Sequence, residues 1–178
     1  MVKSKQTMAS SFIDFKDNGF WAKDGFVESF QLLLFEEIES QYQDSVDWLN
    51  EYKKNLAIQS LPLIYGGMSM CLDETLVNDC KIQTILSLIK SINTKISSDN
   101  NYLTGKHLND LRKIVRQYLV QIKEFDWNDI EVERQTKDGA FGNDLPVVSY
   151  VHGFDLLKKL LAGQITFNAN SPIDYWNY

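Results

Sequence analysis

From Phe26 onward the apolar positions keep helical time. Phe26, Phe30, Leu33, Leu34, Ile38 and Tyr42 step by three and four, which predicts a helix with one wide apolar stripe. Asp24 stands where a carboxylate would accept the unpaired amides of that helix's first turn. Leu49, Tyr52, Leu56 and Ala57 continue in a second helix that ends before Pro62, and Gly66-Gly67 breaks the pattern. Asp73 then reads as the cap of a long helix with Leu76, Val77, Cys80, Leu88, Ile89, Ile92 and Ile96 facing inward. After the polar stretch "SSDNNYLTG", Thr104 or a neighbour opens a helix that buries Leu108, Leu111, Val115, Tyr118, Leu119 and Ile122. A last helix runs from about Val147 to Ala162, with Val151, Phe154, Leu157 and Leu161 inward. Lys158 and Lys159 suit its final turn, and Gly163 stops it.

The remaining segments are less regular. Residues 1 to 11 are small and polar and read as a flexible tail, leaving one helical domain over 12–178. "FIDFKDNGFWAKDGF" carries turn signals at Asn18-Gly19 and Asp24-Gly25, with Phe12, Phe15, Phe20 and Trp21 as anchors. Farther on, "IEVER" alternates and "KDGAFGND" is rich in turn residues, leaving room for a short strand or hairpin near 130–146. The expected fold class is all-α, a single-domain bundle of five or six helices. The aromatic end "ITFNANSPIDYWNY" is expected to pack back onto it.

Composition adds bounds. With 178 residues, 44% apolar and 24% charged, the chain has the make-up for one well-buried core. A net charge of −6 disfavours nucleic acid as a partner, because displacing counterions from phosphates needs a basic patch. Cys71 and Cys80 read as reduced thiols, since a disulfide scaffold would need many more cysteines. "MVKSKQTMASSFIDF" has no apolar run of the kind a signal peptide needs, and "LLLF" is far too short to span a bilayer. The expected setting is cytoplasmic, with no membrane partner.

Chemistry needs converging groups. His107 and His152 belong to no H-E-x-x-H or C-x-x-C pattern, so neither a metal nor another cofactor is expected. His107 reads as a surface or capping residue and His152 as a packing one. Gly66-Gly67 lacks the rest of any phosphate-binding loop, "DWNDIEVE" lacks the glycine of a calcium loop, and no G-x-S-x-G occurs. The chain therefore reads as a non-enzyme with no catalytic residues. Glu37, angled toward the apolar stripe, is expected to find an internal hydrogen bond or salt bridge. A catalytic carboxylate there is the sharper alternative.

Charge patterning is more informative. Between Asp24 and Glu51 the chain has acids and neither lysine nor arginine. Glu28, Leu32, Glu36 and Glu39 fall within about a quarter-turn of a helix, and no base lies three or four places from these glutamates. Leu32, off the main stripe and ringed by carboxylates, is expected to be a hot spot for a cationic partner. The competing readings are a merely solvated face, or pairing inside the fold with the later basic helix. Lys106, Arg112, Lys113, Arg116 and Lys123 share the outer third of that helix. A second acidic run, from Glu124 to Glu133, encloses Trp127. Glu28, Leu32, Glu36, Glu39, Asp126 and Trp127 are accordingly the partner-binding candidates.

The segment "DFKDNGFWAKDGFVESFQLLLFEEIE", Asp14 to Glu39, resembles the N-terminal signature of small bacterial immunity proteins against polymorphic and contact-dependent growth inhibition toxins. The matching elements are Asp14-Phe15, Asn18-Gly19-Phe20-Trp21, Asp24, Phe26, the Leu32–Leu34 run and Glu37-Ile38. The resemblance covers roughly the first 40 residues, with a weaker echo at Trp48-Leu49 and Gly66-Gly67. It implies a protein that binds a cognate toxin and occludes its basic active site, of the nuclease kind in many such systems. Two rivals stand beside it. One is a helical interaction or regulatory domain forming a homodimer, acidic helix against basic helix. The other is an enzyme built on Glu37.

Overall fold

The structure is a computed structural model. It describes residues 10–42, 46–61, 68–99, 102–122, 141–142 and 145–167. A β-hairpin comes first, β1 (Ser10–Phe15) and β2 (Asn18–Lys23), followed by α1 (Asp24–Tyr42) and α2 (Asp47–Gln59). A single turn, α3 (Leu72–Thr75), precedes α4 (Asp79–Ser98), α5 (Gly105–Gln121) and α6 (Val147–Leu161). The described chain is thus mostly helical, with one small antiparallel hairpin.

The hairpin arises from strict alternation. Ile13 and Phe15 point inward while Phe12 and Asp14 point out. Lys16 and Asp17 form the two-residue turn, both at positive φ (51° and 65°), the backbone that matches the twist of paired strands. Asn18 closes it by donating from Nδ2 to the Lys16 carbonyl, 2.9 Å. Gly19 lies in β2 opposite Asp14, and a Cβ there would overlap the Ile13 carbonyl oxygen. One expectation is corrected. Ser10 and Ser11 belong to β1 rather than to a tail, and the Ser11 hydroxyl donates to Asp24 (2.7 Å) and accepts from the Met68 amide (2.7 Å). The hairpin sits at the front of the chain. Most of 130–146 lies outside the described residues.

α1 is the axis of the fold. It packs against α2, α4, α5 and the hairpin. Every residue from Val27 to Phe35 is buried, Leu32 included. The predicted single stripe is therefore corrected to a helix enclosed on nearly all sides from Val27 to Phe35. Aromatic contacts close the packing: Phe30 meets Phe154 at 4.6 Å, Phe26 meets Tyr150 at 4.9 Å, and Phe35 meets Tyr118 at 5.2 Å.

Later boundaries follow local chemistry. α4 starts at Asp79, capped by Asn78, whose side chain accepts the Lys81 amide at 3.0 Å. Val77 is 68% exposed and Cys80 is exposed, so their inward assignment is corrected; the buried set begins at Ile82. α5 opens as expected at Thr104, whose hydroxyl accepts the His107 amide at 3.1 Å. α6 ends against Gly163 at φ +68°. No helix among the described residues is long and apolar enough to cross a membrane.

Candidate functional site

Glu28, Glu36 and Glu39 of α1 were expected to face outward without counter-charge. Each instead meets a donor from a different part of the fold. Glu28 is buried and takes a two-pronged bond from Arg112 of α5, Nε to Oε1 at 2.6 Å and Nη2 to Oε2 at 2.8 Å. Glu36, half-buried, accepts from Tyr102 Oη at 2.8 Å and contacts His107 Nε2 at 2.9 Å. Glu37 is fully buried, bonded to Lys95 Nζ of α4 at 2.5 Å and to the Gln41 amide. Glu39 remains 52% exposed, yet Lys53 of α2 reaches it at 2.7 Å. Pairing inside the fold is what these residues do.

Leu32 and Glu28 consequently lie in the interior, and Leu32 stands on no open face. Arg112 and Arg116 are buried too, correcting their placement on an outer third of α5. Arg116 carries a cost. Among the described residues its Nε and Nη1 have no hydrogen-bond partner, and burial, with Arg112 close by, pulls its pKa down to about 10 despite Glu28. The internal partner expected for Glu37 is present. His152 is exposed rather than packed. Asp126 and Trp127 lie outside the described residues.

His107 has a defined charge state. Its Nδ1 lies 2.5 Å from the Tyr102 carbonyl oxygen and its Nε2 faces Glu36. A carbonyl and an ionised carboxylate only accept, so both bonds form together only when the imidazole carries a proton on each nitrogen. The Glu36 hydrogen bond and charge raise the His107 pKa, with Tyr102 and Asp110 adding, against burial. Burial pushes Glu36 up, but the hydrogen bonds from His107 and Tyr102, and the charges of His107 and Lys95, hold it below the usual carboxylate range.

An unpaired acidic face exists elsewhere. The hairpin turn and α3 bring Asp14, Asp17, Asp73 and Glu74 to one edge, with Asp73 accepting the Lys16 amide at 2.8 Å. Among the described residues none of the four lies within ion-pair distance of a lysine or arginine; the Lys16 ammonium lies over the Phe15 ring, 5.0 Å away. Burial raises the Asp14 pKa, and the charges of Asp73, Glu74 and Asp17 raise it further, against its own backbone hydrogen bond. Beside this edge an open cleft of about 450 Å³ runs between the hairpin turn, the start of α4 and the end of α6. Phe15, Ile82, Leu161 and Ile165 give it apolar walls, and Lys16 and Asp79 line it as well.

Sequence reasoning missed this edge because its halves are nearly sixty positions apart and Asp73 read as a helix cap. Cys71 and Cys80 are free thiols, with Cys71 raised by burial and by Glu74, against a Ser69 hydrogen bond. Among the described residues, no group of histidine, cysteine and carboxylate side chains is placed to hold a metal ion. Compared with protein-family models, curated proteins and solved structures, the chain gives no match.

Proposed function

We propose that the chain is a stoichiometric binder of a basic protein, an immunity protein of the kind that Asp14–Glu39 resembles, and that it occludes a toxin's phosphate-binding cleft. The contact face in this reading is the edge formed by Asp14, Asp17, Asp73 and Glu74, with the adjoining cleft receiving an apolar anchor. The carrying observation is Asp14. Its carboxyl lies on the exposed face of β1, where partial desolvation and the charges of Asp73, Glu74 and Asp17 hold it above the ordinary range, a tension that an incoming cation would relieve. Glu28 and Leu32 serve this function only by building the scaffold.

The test is co-purification with the C-terminal domain of a secreted protein encoded immediately upstream, followed by association kinetics at several salt concentrations. Converting Asp14, Asp17 and Glu74 together to lysine should slow association about tenfold or more and reverse its salt dependence. Glu39→Lys, on the far end of α1, should change it little. Equal association rates for the triple variant and the native chain overturn the assignment of this face, and absence of any complex overturns the function.

A further inference from the structure

We propose that His107 is a pH-operated latch between α1 and the connection leading into α5, closed while the imidazole holds both protons and opened by the loss of one. The inference stands on geometry and is independent of what the protein binds. In the closed state Nδ1–H donates to the Tyr102 carbonyl and Nε2–H to Glu36 Oε1. A neutral imidazole has one N–H. Whichever nitrogen gives up its proton then points a lone pair at an acceptor oxygen 2.5–2.9 Å away, so one of the two bonds becomes a repulsion.

Every element packed around the imidazole is charged or polar in a way that favours this behaviour. α1 presents Glu36, and Glu37 next to it; α4 presents Lys95, tied to Glu37; α5 presents Asp110; the connection presents Tyr102, its ring 4.9 Å from the imidazole. Three carboxylates against one ammonium leave a net negative site, and the cationic imidazole lowers that excess from two charges to one. Tyr102 adds the mechanical link. Its hydroxyl holds Glu36, its carbonyl holds His107, and two residues on Thr104 caps the first turn of α5. Loss of the proton therefore loosens the connection and the start of α5 together.

The pH window follows from the direction of the shifts. His107 has a higher pKa folded than unfolded, so the latch is complete below 6.5 and is lost as pH climbs through the raised value. Glu36 has a lower pKa folded than unfolded, so its share is complete above 4.5 and lost as pH falls through the depressed value. The latch is thus closed between pH 4.5 and 6.5 and opens as pH rises through the raised His107 value.

The experiment is imidazole nitrogen NMR across pH 5 to 10 on the full chain, with His107 assigned by comparison with His152→Gln. It is paired with amide hydrogen exchange, corrected for intrinsic rates. His107 should titrate above 6.5, and Glu36→Gln should lower its midpoint. Protection of the first-turn amides of α5 should fall up to about tenfold per pH unit above 6.5. In His107→Gln that protection should be flat with pH. A His107 midpoint at or below 6.5 overturns the proposal, and so does an identical pH dependence of exchange in His107→Gln. The NMR titration of the native chain decides even if the variants fold poorly.

Discussion

Glu28 and Arg112 meet by two hydrogen bonds in the interior, where removing one leaves the other a buried charge without its counter-ion. Arg112→Ala should therefore cost about 3–5 kcal/mol, read from urea unfolding, because it strands Glu28. The double change Glu28→Leu with Arg112→Met should recover most of that loss, since apolar side chains of similar size replace a buried pair at little net cost. Arg116 presents the opposite case. Its guanidinium is buried beside Arg112 with two nitrogens unpartnered among the described residues, so Arg116→Met should stabilise the fold by about 1 kcal/mol or more. Leu32→Ala should unfold the chain at about 2–5 kcal/mol lower free energy, the cost of a cavity rather than of a lost surface contact.

Among the elements, the hairpin turn carries identifiable strain, because Lys16 and Asp17 both occupy positive φ without being glycine or asparagine. Replacing them by Asn-Gly should raise the melting temperature, with a gain of about 0.5–1 kcal/mol. Helices α2, α5 and α6 were legible to within a residue or two, because spacing at Leu49–Ala57, Leu108–Leu119 and Phe154–Leu161 is strongly periodic and Thr104 and Gly163 punctuate it. The hairpin was not. Asn18-Gly19 looks like a turn, yet it falls inside β2, while the real turn residues Lys16-Asp17 have no turn signature. The start of α4 was misplaced because Leu76 and Cys80 fit a helical period by chance; Asn78 is the true cap. The polar partners of α1 were illegible for a different reason. Bases absent at three or four places along a helix say nothing about Lys53, Lys95, His107 and Arg112, which arrive from three other helices.

Over the whole molecule the net charge of −6 is distributed unevenly: α1's acids are neutralised within the fold, while the edge around Asp14 is not. A carboxyl with a raised folded pKa weakens the folded state once ionised, and the penalty disappears as pH falls below that value. Asp14→Asn should accordingly stabilise the protein at pH 7, by about 0.5 kcal/mol or less for a residue on the surface, and should have no such effect near pH 3. Added salt should shrink the difference, since screening quiets the same repulsion. Thermal melts of the two chains at two pH values and two salt concentrations measure all of this.

The enclosure of α1 also has a consequence for biosynthesis. Its greasiest turns leave the ribosome long before the helices that wrap them, since α4, α5 and α6 are translated later and α6 supplies Phe154 and Tyr150 against Phe30. A nascent chain halted before α4 thus displays much of a hydrophobic rod that α4 and α5 have yet to cover, and invites chaperones or aggregation. Its bare apolar surface should shrink in steps as α4 and α5 emerge, with Phe26 and Phe30 clothed only when α6 arrives.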